Sequence, residues 1–284
     1  MSDKCPSAGT SACDTCGEDC PSRTNSGKNP FAAELNELSS VKKVIGVVSG
    51  KGGVGKSSIT ALLATLMQRK GYRTAVMDAD LTGPSIPRIF GLHDQIHSPD
   101  GVSLYPCKTK NGIDVVSINL MLPDEEQPVI WRGPVISGVI KQFWSDVVWA
   151  DIDIMFIDMP PGTGDVSLTV FQSIPLDGII LVTTPQDLVS MIVKKSMNMA
   201  KMMNIPIIGI IENMSYVTCP DCGKRIDLFG SKADAEKEYG LPLLAELPMN
   251  PEIPQMADTG AIDEFQEDYL DKAVEVIKNY SRNK

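Results

Sequence analysis

The chain has 284 residues, is 43% hydrophobic, and carries 26 Lys and Arg against 36 Asp and Glu, a formal net charge of -10 at pH 7. That apolar content supports a full core and excludes disorder as the dominant state. The acidic balance excludes a global basic field for nucleic acid, and no apolar run approaches the roughly 20 residues of a bilayer span.

Residues 1–40 are rich in Ser, Gly, Asp, Pro and Cys and show neither helical nor strand periodicity, which predicts a tail ordered only by a metal or a partner. The start, Met1-Ser-Asp-Lys-Cys5, has no apolar core of a secretory signal, so a reducing, cytoplasmic compartment is expected. Thiols there read as metal ligands or redox groups before disulfides. Cys5, Cys13, Cys16 and Cys20 can wrap an iron–sulfur cluster or zinc unaided, or stay unmetallated.

Residues 41–284 predict a single domain. Strand-length aliphatic runs fall at Val44–Val48, Thr74–Asp78, Val115–Asn119, Ile152–Asp158, Gly178–Thr183, Ile205–Ile211 and Leu243–Leu247. They are apolar on successive residues, as expected of strands covered on both faces. Helical patterns lie between and after them at Ser57–Lys70, Val135–Val148, Val166–Ile174, Leu188–Met203, Ser231–Tyr239 and Tyr269–Tyr280. This alternation predicts an α/β fold with a doubly wound, mostly parallel sheet.

The first strand runs into Gly50, Lys51, Gly52, Gly53, Val54, Gly55, Lys56, Ser57 and Ser58, matching G-x-x-x-x-G-K-[ST] between a strand and a helix. Glycines turn backbone N–H groups towards phosphate oxygens, Lys56 supplies a cation for the β and γ phosphates, and Ser57 offers a hydroxyl to Mg²⁺. Asp158 ends a buried strand beside this loop and can bind Mg²⁺ through water. Pro160-Pro161-Gly162 and Gly164 suit a segment that moves with the γ-phosphate. Asp78 and Asp80 bring two more carboxylates to the same sheet edge. A guanine-type N-K-x-D follows no strand, so adenine, and hence ATP, is the expected base and nucleotide.

Cys219-Pro-Asp-Cys222 supplies two thiols, half of what a tetrahedral metal site or a cubane cluster takes. Two copies would make four ligands around a bridging [4Fe–4S] cluster or zinc at a two-fold interface. A redox dithiol and inert turn cysteines are the other readings. The last helical pattern balances its acids and bases, unlike a basic membrane-surface helix. No membrane or nucleic-acid partner is expected.

Lys51 resembles the signature lysine of the deviant Walker A class of P-loop NTPases, to which ParA, MinD and the nitrogenase iron protein belong. The wider set of motifs, Asp78-Ala-Asp80-Leu-Thr-Gly-Pro-Ser85, Trp131-Arg-Gly-Pro134, Asp158-Met-Pro-Pro-Gly-Thr-Gly-Asp165, Thr183-Thr-Pro-Gln-Asp187 and Glu212-Asn-Met-Ser-Tyr followed by Cys219 and Cys222, resembles the Mrp family of iron–sulfur carrier ATPases. The resemblance implies slow ATP hydrolysis coupled to assembly of a [4Fe–4S] cluster and its transfer to apo-proteins. It also implies that Lys51 reaches the partner's nucleotide in a homodimer, that Asp80 positions the attacking water, and that Asp78 supports the Mg²⁺ site. Asn213 and the Pro248–Pro254 segment would hold the base, and Cys219 and Cys222 would bridge the cluster. Some members carry a four-cysteine N-terminal cluster, whose first and last gaps are shorter here. A MinD/ParA-like positioning switch and a zinc-bound regulatory ATPase are the competing readings.

Overall fold

Strand β1 (Val44–Ser49) is buried along its whole length, as an unalternating apolar run requires when both sheet faces are covered. Ile45 and Val47 join one apolar cluster with Ile59, Leu63 and Met67 of helix α1 (Lys56–Arg69). Val44 and Val48 join the opposite one, with Phe143, Trp149 and Leu181. The computed structural model describes residues 31–99, 101, 103–122, 133–185, 191–227 and 239–281. The expectations for Cys5, Cys13, Cys16 and Cys20, and most of the helix expected at Ser231–Tyr239, lie outside those residues.

The remaining elements in chain order are β2 (Thr74–Asp78), α2 (Ile86–Ile89), β3 (Cys107–Lys108), β4 (Asp114–Val116), α3 (Gly133–Ser145), β5 (Ile154–Asp158), α4 (Asp165–Ser173), β6 (Gly178–Thr183), α5 (Met191–Met202), β7 (Ile207–Thr218), β8 (Arg225–Ile226), β9 (Leu243–Pro248), α6 (Glu252–Thr259) and α7 (Asp271–Asn279). Sheet order is β3-β4-β2-β5-β1-β6-β7-β8, with β9 also on β7. Only the β3/β4 and β7/β8 pairs are antiparallel among those described, so the expected doubly wound, mostly parallel sheet is the observed one. β1 lies between β5 and β6, and the crossover through α1 lands on β2 beyond β5. The sheet therefore reverses direction at the carboxyl end of β1, where such folds leave a ligand crevice.

Four differences from the sequence reading have local causes. The expected strand Val115–Asn119 stops at Val116 and becomes the 3-10 turn Ile118–Leu120. Strand β7 continues seven residues past Ile211, because its distal half pairs with Pro248 and with β8, and the buried polar residues Glu212, Asn213 and Ser215 broke the apolar run. Residues 33–40, which composition places in the tail, are strapped to the domain: the Ala33 N–H donates to the Ser173 carbonyl at 2.9 Å and the Ser40 N–H to that of Trp149 at 2.9 Å. The folded unit accordingly begins at Ala33. Helix α6 follows Pro251 in a segment the prolines marked as loop. In α7 the stripe of Ala273, Val274 and Ile277 is buried against the domain, as expected of a packed terminal helix.

Asp263, in the 3-10 turn Ile262–Glu264, is 1% exposed and neither carboxylate oxygen has a hydrogen-bond partner. Burial, opposed by Lys110, pushes its pKa up. Since the folded value lies above the unfolded one of about 3.9, this carboxyl's contribution to stability is complete below about pH 4 and is lost as pH rises through the folded value. Asp263→Asn should therefore fall less in stability than the parent in urea unfolding as pH rises above about 4. Parallel declines in the two proteins would refute this.

Candidate functional site

Parallel pairing puts Asp78 of β2 beside Asp158 of β5, and Asp158 beside Val47 of β1, all at the carboxyl edge where the loop 50–55 begins. Asp158 is fully buried. Its Oδ2 takes the Lys56 ammonium at 2.7 Å and the Ser57 hydroxyl at 2.6 Å, and its Oδ1 takes the Thr60 hydroxyl at 2.8 Å. Lys56 also lies 3.9 Å from an oxygen of Asp80. Thr60 was not anticipated, although its place four residues after Lys56 sets both on one helical face.

Asp78 is buried without exposure. Its Oδ1 accepts the Asp80 N–H at 3.1 Å, and its Oδ2 accepts the Ile86 N–H at 3.3 Å and the Ser117 hydroxyl at 3.1 Å. The carboxyl thus holds both ends of the segment 79–86 that carries Asp80. Burial first, then the charge of Asp158, pushes its pKa up to about 8. Burial also raises Asp80, against the pull of Lys56. Three carboxyls around one lysine leave this end of the crevice short of positive charge, which is the environment a divalent cation fits.

The loop opens on a cavity of about 430 Å³ lined by Lys51, Gly53, Lys56, Ser57, Asp80 and Pro161, among others. Helix α1 points its N-terminus at this space, so fixed partial positive charge faces it. Gly55 has φ 79°, and a Cβ there would lie 2.3 Å from the Asn213 amide nitrogen. Only glycine fits that approach. Asn213 in turn donates to the Val54 carbonyl at 2.9 Å, fixing the loop against β7. A second cavity of about 340 Å³ adjoins, lined by Gly55, Asn213, Met214, Pro248, Asn250 and Pro254. Met214 takes φ 52° where the pairing of β7 with β9 shifts register, a conformation that costs roughly 1–2 kcal/mol for an L-residue. The two cavities share Gly55 and Ser58 as lining residues.

Arg88 of α2 and Asp258 of α6 pair at 3.2 Å on the first cavity's rim, and no sequence pattern marked them. The two helices close on each other through Gly91 and Gly260, where a Cβ on Gly260 would stand 2.4 Å from the Gly91 Cα.

Cys219 and Cys222 lie together in the turn between β7 and β8. The Cys219 N–H donates to the Lys224 carbonyl at 2.9 Å, and the Gly223 N–H donates back to the Cys219 carbonyl at 2.9 Å. Backbone N–H groups of Cys222 and Asp221, and then the Cys222 thiol, lower the Cys219 pKa. The turn is preorganised to hold a thiolate. Among the described residues, no group of three or more His, Cys, Asp and Glu side chains is placed to hold a metal ion.

The structure thus lines one cavity with Lys51, Lys56, Ser57, Ser58 and Asp80, buries Asp78 and Asp158 behind it, sets Asn213 in the wall of the adjoining cavity, and keeps Cys219 and Cys222 apart from both. A family model described as NUBPL iron-transfer P-loop NTPase matches residues 40–281. The iron-sulfur cluster carrier protein of Clostridium perfringens is 48% identical over 79% of this chain and 82% of its own length. That of Methanocaldococcus jannaschii is 46% identical over 87% of each. A nucleotide-binding protein from Archaeoglobus fulgidus, solved in complex with ADP, is 38% identical, with a TM-score of 0.72 over 81% of this chain and 90% of that one. The cell division ATPase MinD of Pyrococcus furiosus, 22% identical with a TM-score of 0.59 over 83% of this chain and 97% of its own, shares the fold.

Proposed function

We propose that this chain, which belongs to the NUBPL iron-transfer P-loop NTPase family, is an ATP-dependent carrier that holds a [4Fe–4S] cluster between the Cys219–Cys222 turns of two copies and passes it to apo-proteins. The observation that carries this reading is a pair of preorganised thiols in the turn that leaves the strand walling the second cavity, where the base would sit: Asn213 lies within β7, and Cys219 is the first residue after that strand, six positions on. Two thiols per chain leave a cubane half-ligated, and a second copy supplies the rest.

In this reading Lys56 leaves Asp158 for the β and γ phosphates, while Ser57 and Asp158 hold Mg²⁺. When bound, the ion supplies the positive charge that three crowded carboxyls and a triphosphate require. Asp80 orients the attacking water, and Asp78 with Ser117 fixes the backbone that presents Asp80. Lys51, at the exposed rim, reaches the nucleotide of the partner copy. Gly162, whose N–H donates to the Ser49 carbonyl at 2.9 Å, ties the proline segment to the start of the phosphate loop. That contact lets γ-phosphate occupancy move both together.

The test is metal analysis of the full chain with Cys5, Cys13, Cys16 and Cys20 replaced by serine, purified without oxygen. About four iron and four sulfide per two chains are expected, in a species of dimer mass. Stoichiometric zinc without sulfide, or metal in a monomer, would sink the proposal.

The positioning-switch alternative gains nothing from this geometry. The apolar stripe of α7 is buried in the domain, and among the described residues no helix is long and apolar enough to cross a membrane.

A further inference from the structure

Arg225 ties the thiol turn to a second strand of the sheet by its side chain. This residue opens β8 directly opposite Thr218, the neighbour of Cys219. Its Nε donates to Asp227 at 2.8 Å and an Nη to Glu246 of β9 at 2.9 Å. Its guanidinium carbon lies 4.1 Å from the ring centroid of Tyr216. An arginine can meet two carboxylates and an aromatic face at once because its donors are coplanar and its faces are weakly hydrated; a lysine cannot.

Two of these partners, Glu246 and Tyr216, lead back to the nucleotide crevice. Glu246 stands two residues before Pro248, which begins the segment lining the base-side cavity. Tyr216 pairs with Pro248, and its carbonyl accepts the Met249 N–H at 2.7 Å. Tyr216 also follows Met214, the left-handed residue of the same cavity wall. A shift of 248–254 against Asn213 must therefore either break these contacts or carry the turn with it.

We propose that Arg225 is a positioning residue that couples occupancy of the nucleotide cavity to the geometry of the Cys219–Cys222 turn. The inference rests on the carrier reading above. Arg225 lines neither cavity; it clamps the cysteine hairpin to the strand that feeds the base-side loop. Coupling between two sites of one fold is commonly 5- to 150-fold, and at least about fivefold is expected here.

The experiment measures alkylation of Cys219 and Cys222 by iodoacetamide in the metal-free full chain, with the four tail cysteines replaced by serine, with and without a non-hydrolysable ATP analogue and Mg²⁺. The parent should show a nucleotide-dependent rate. Arg225→Gln and Glu246→Gln should bind the analogue as tightly as the parent yet lose most of that dependence, and Arg225→Lys should keep an intermediate part. A parent rate indifferent to nucleotide, or full dependence surviving in Arg225→Gln, would overturn the proposal. Iron content separates its failure from that of the carrier reading: the coupling can fail while iron still depends on Cys219 and Cys222. Loss of that iron dependence would remove the carrier reading itself.

Discussion

Lys56→Ala is expected to weaken nucleotide binding by roughly 30- to 150-fold and at the same time to destabilise the nucleotide-free fold. The first effect follows from removing charge-assisted hydrogen bonds to phosphate, which contribute about 2–3 kcal/mol. The second follows from where the ammonium sits without nucleotide: 2.7 Å from Asp158, with Lys56 only 6% exposed and its partner fully buried. Removing one member of a buried pair leaves a charge with no counterion, at about 3–5 kcal/mol when the site is dry. Ser57 and Thr60 still donate to Asp158 and the site borders an open cavity, so the lower end, about 3 kcal/mol, is expected. The two effects separate in the double variant Lys56→Ala with Asp158→Asn. Neutralising the orphaned carboxylate should restore part of the stability seen in chemical denaturation without restoring nucleotide affinity. If Lys56→Ala unfolds at the same denaturant concentration as the parent, the ion pair contributes nothing and the electrostatic account of the crevice fails.

That site was legible in the sequence to the extent that it obeys local rules. A glycine-rich turn between a buried strand and an amphipathic helix has few uses, and the carboxyl ends of parallel strands meet at one edge whatever the loops do, so Asp158 and Asp78 could be placed beside Lys56 before any coordinates. What escaped were residues whose partners are distant in the chain and whose types are common. Ser117 reaches Asp78 across 39 positions from a turn that resembles a strand end. Arg88 meets Asp258 across 170 positions, and Arg225 is one of many surface cations until β9 brings Glu246 to it. The extent of β7 was hidden for a different reason: its continuation buries the polar residues Glu212, Asn213 and Ser215 and is held by pairing with β8 and Pro248, so hydropathy fell away where the strand did not. The straps at Ala33 and Ser40 are backbone hydrogen bonds, which side-chain patterns do not encode.

Serine at both Cys219 and Cys222, in a chain whose tail cysteines are also serine, is expected to abolish bound iron and sulfide while leaving nucleotide affinity within about twofold and stability within about 0.5 kcal/mol. The turn is held by backbone hydrogen bonds between Cys219, Gly223 and Lys224, which serine preserves. Cys222 is exposed and Cys219 half-exposed, so neither sulfur fills a core. Loss of metal without loss of fold is therefore the specific result. Single substitutions sharpen it. In a two-fold assembly one change per chain removes two of four ligands, so either serine alone should reduce iron far more than by half. Cys219→Ser should be the more severe, because the donors of Cys222 and Asp221 lower that sulfur's pKa and favour its thiolate. The double variant should also shift towards monomer when nucleotide is absent and return towards dimer with ATP and Mg²⁺, since the reach to the partner's nucleotide proposed for Lys51 does not depend on the thiols. Iron retained at parental levels in the double variant would place the cargo somewhere other than between these turns. A dimer equally stable with and without the thiols would show that the metal is held at the interface without bridging it.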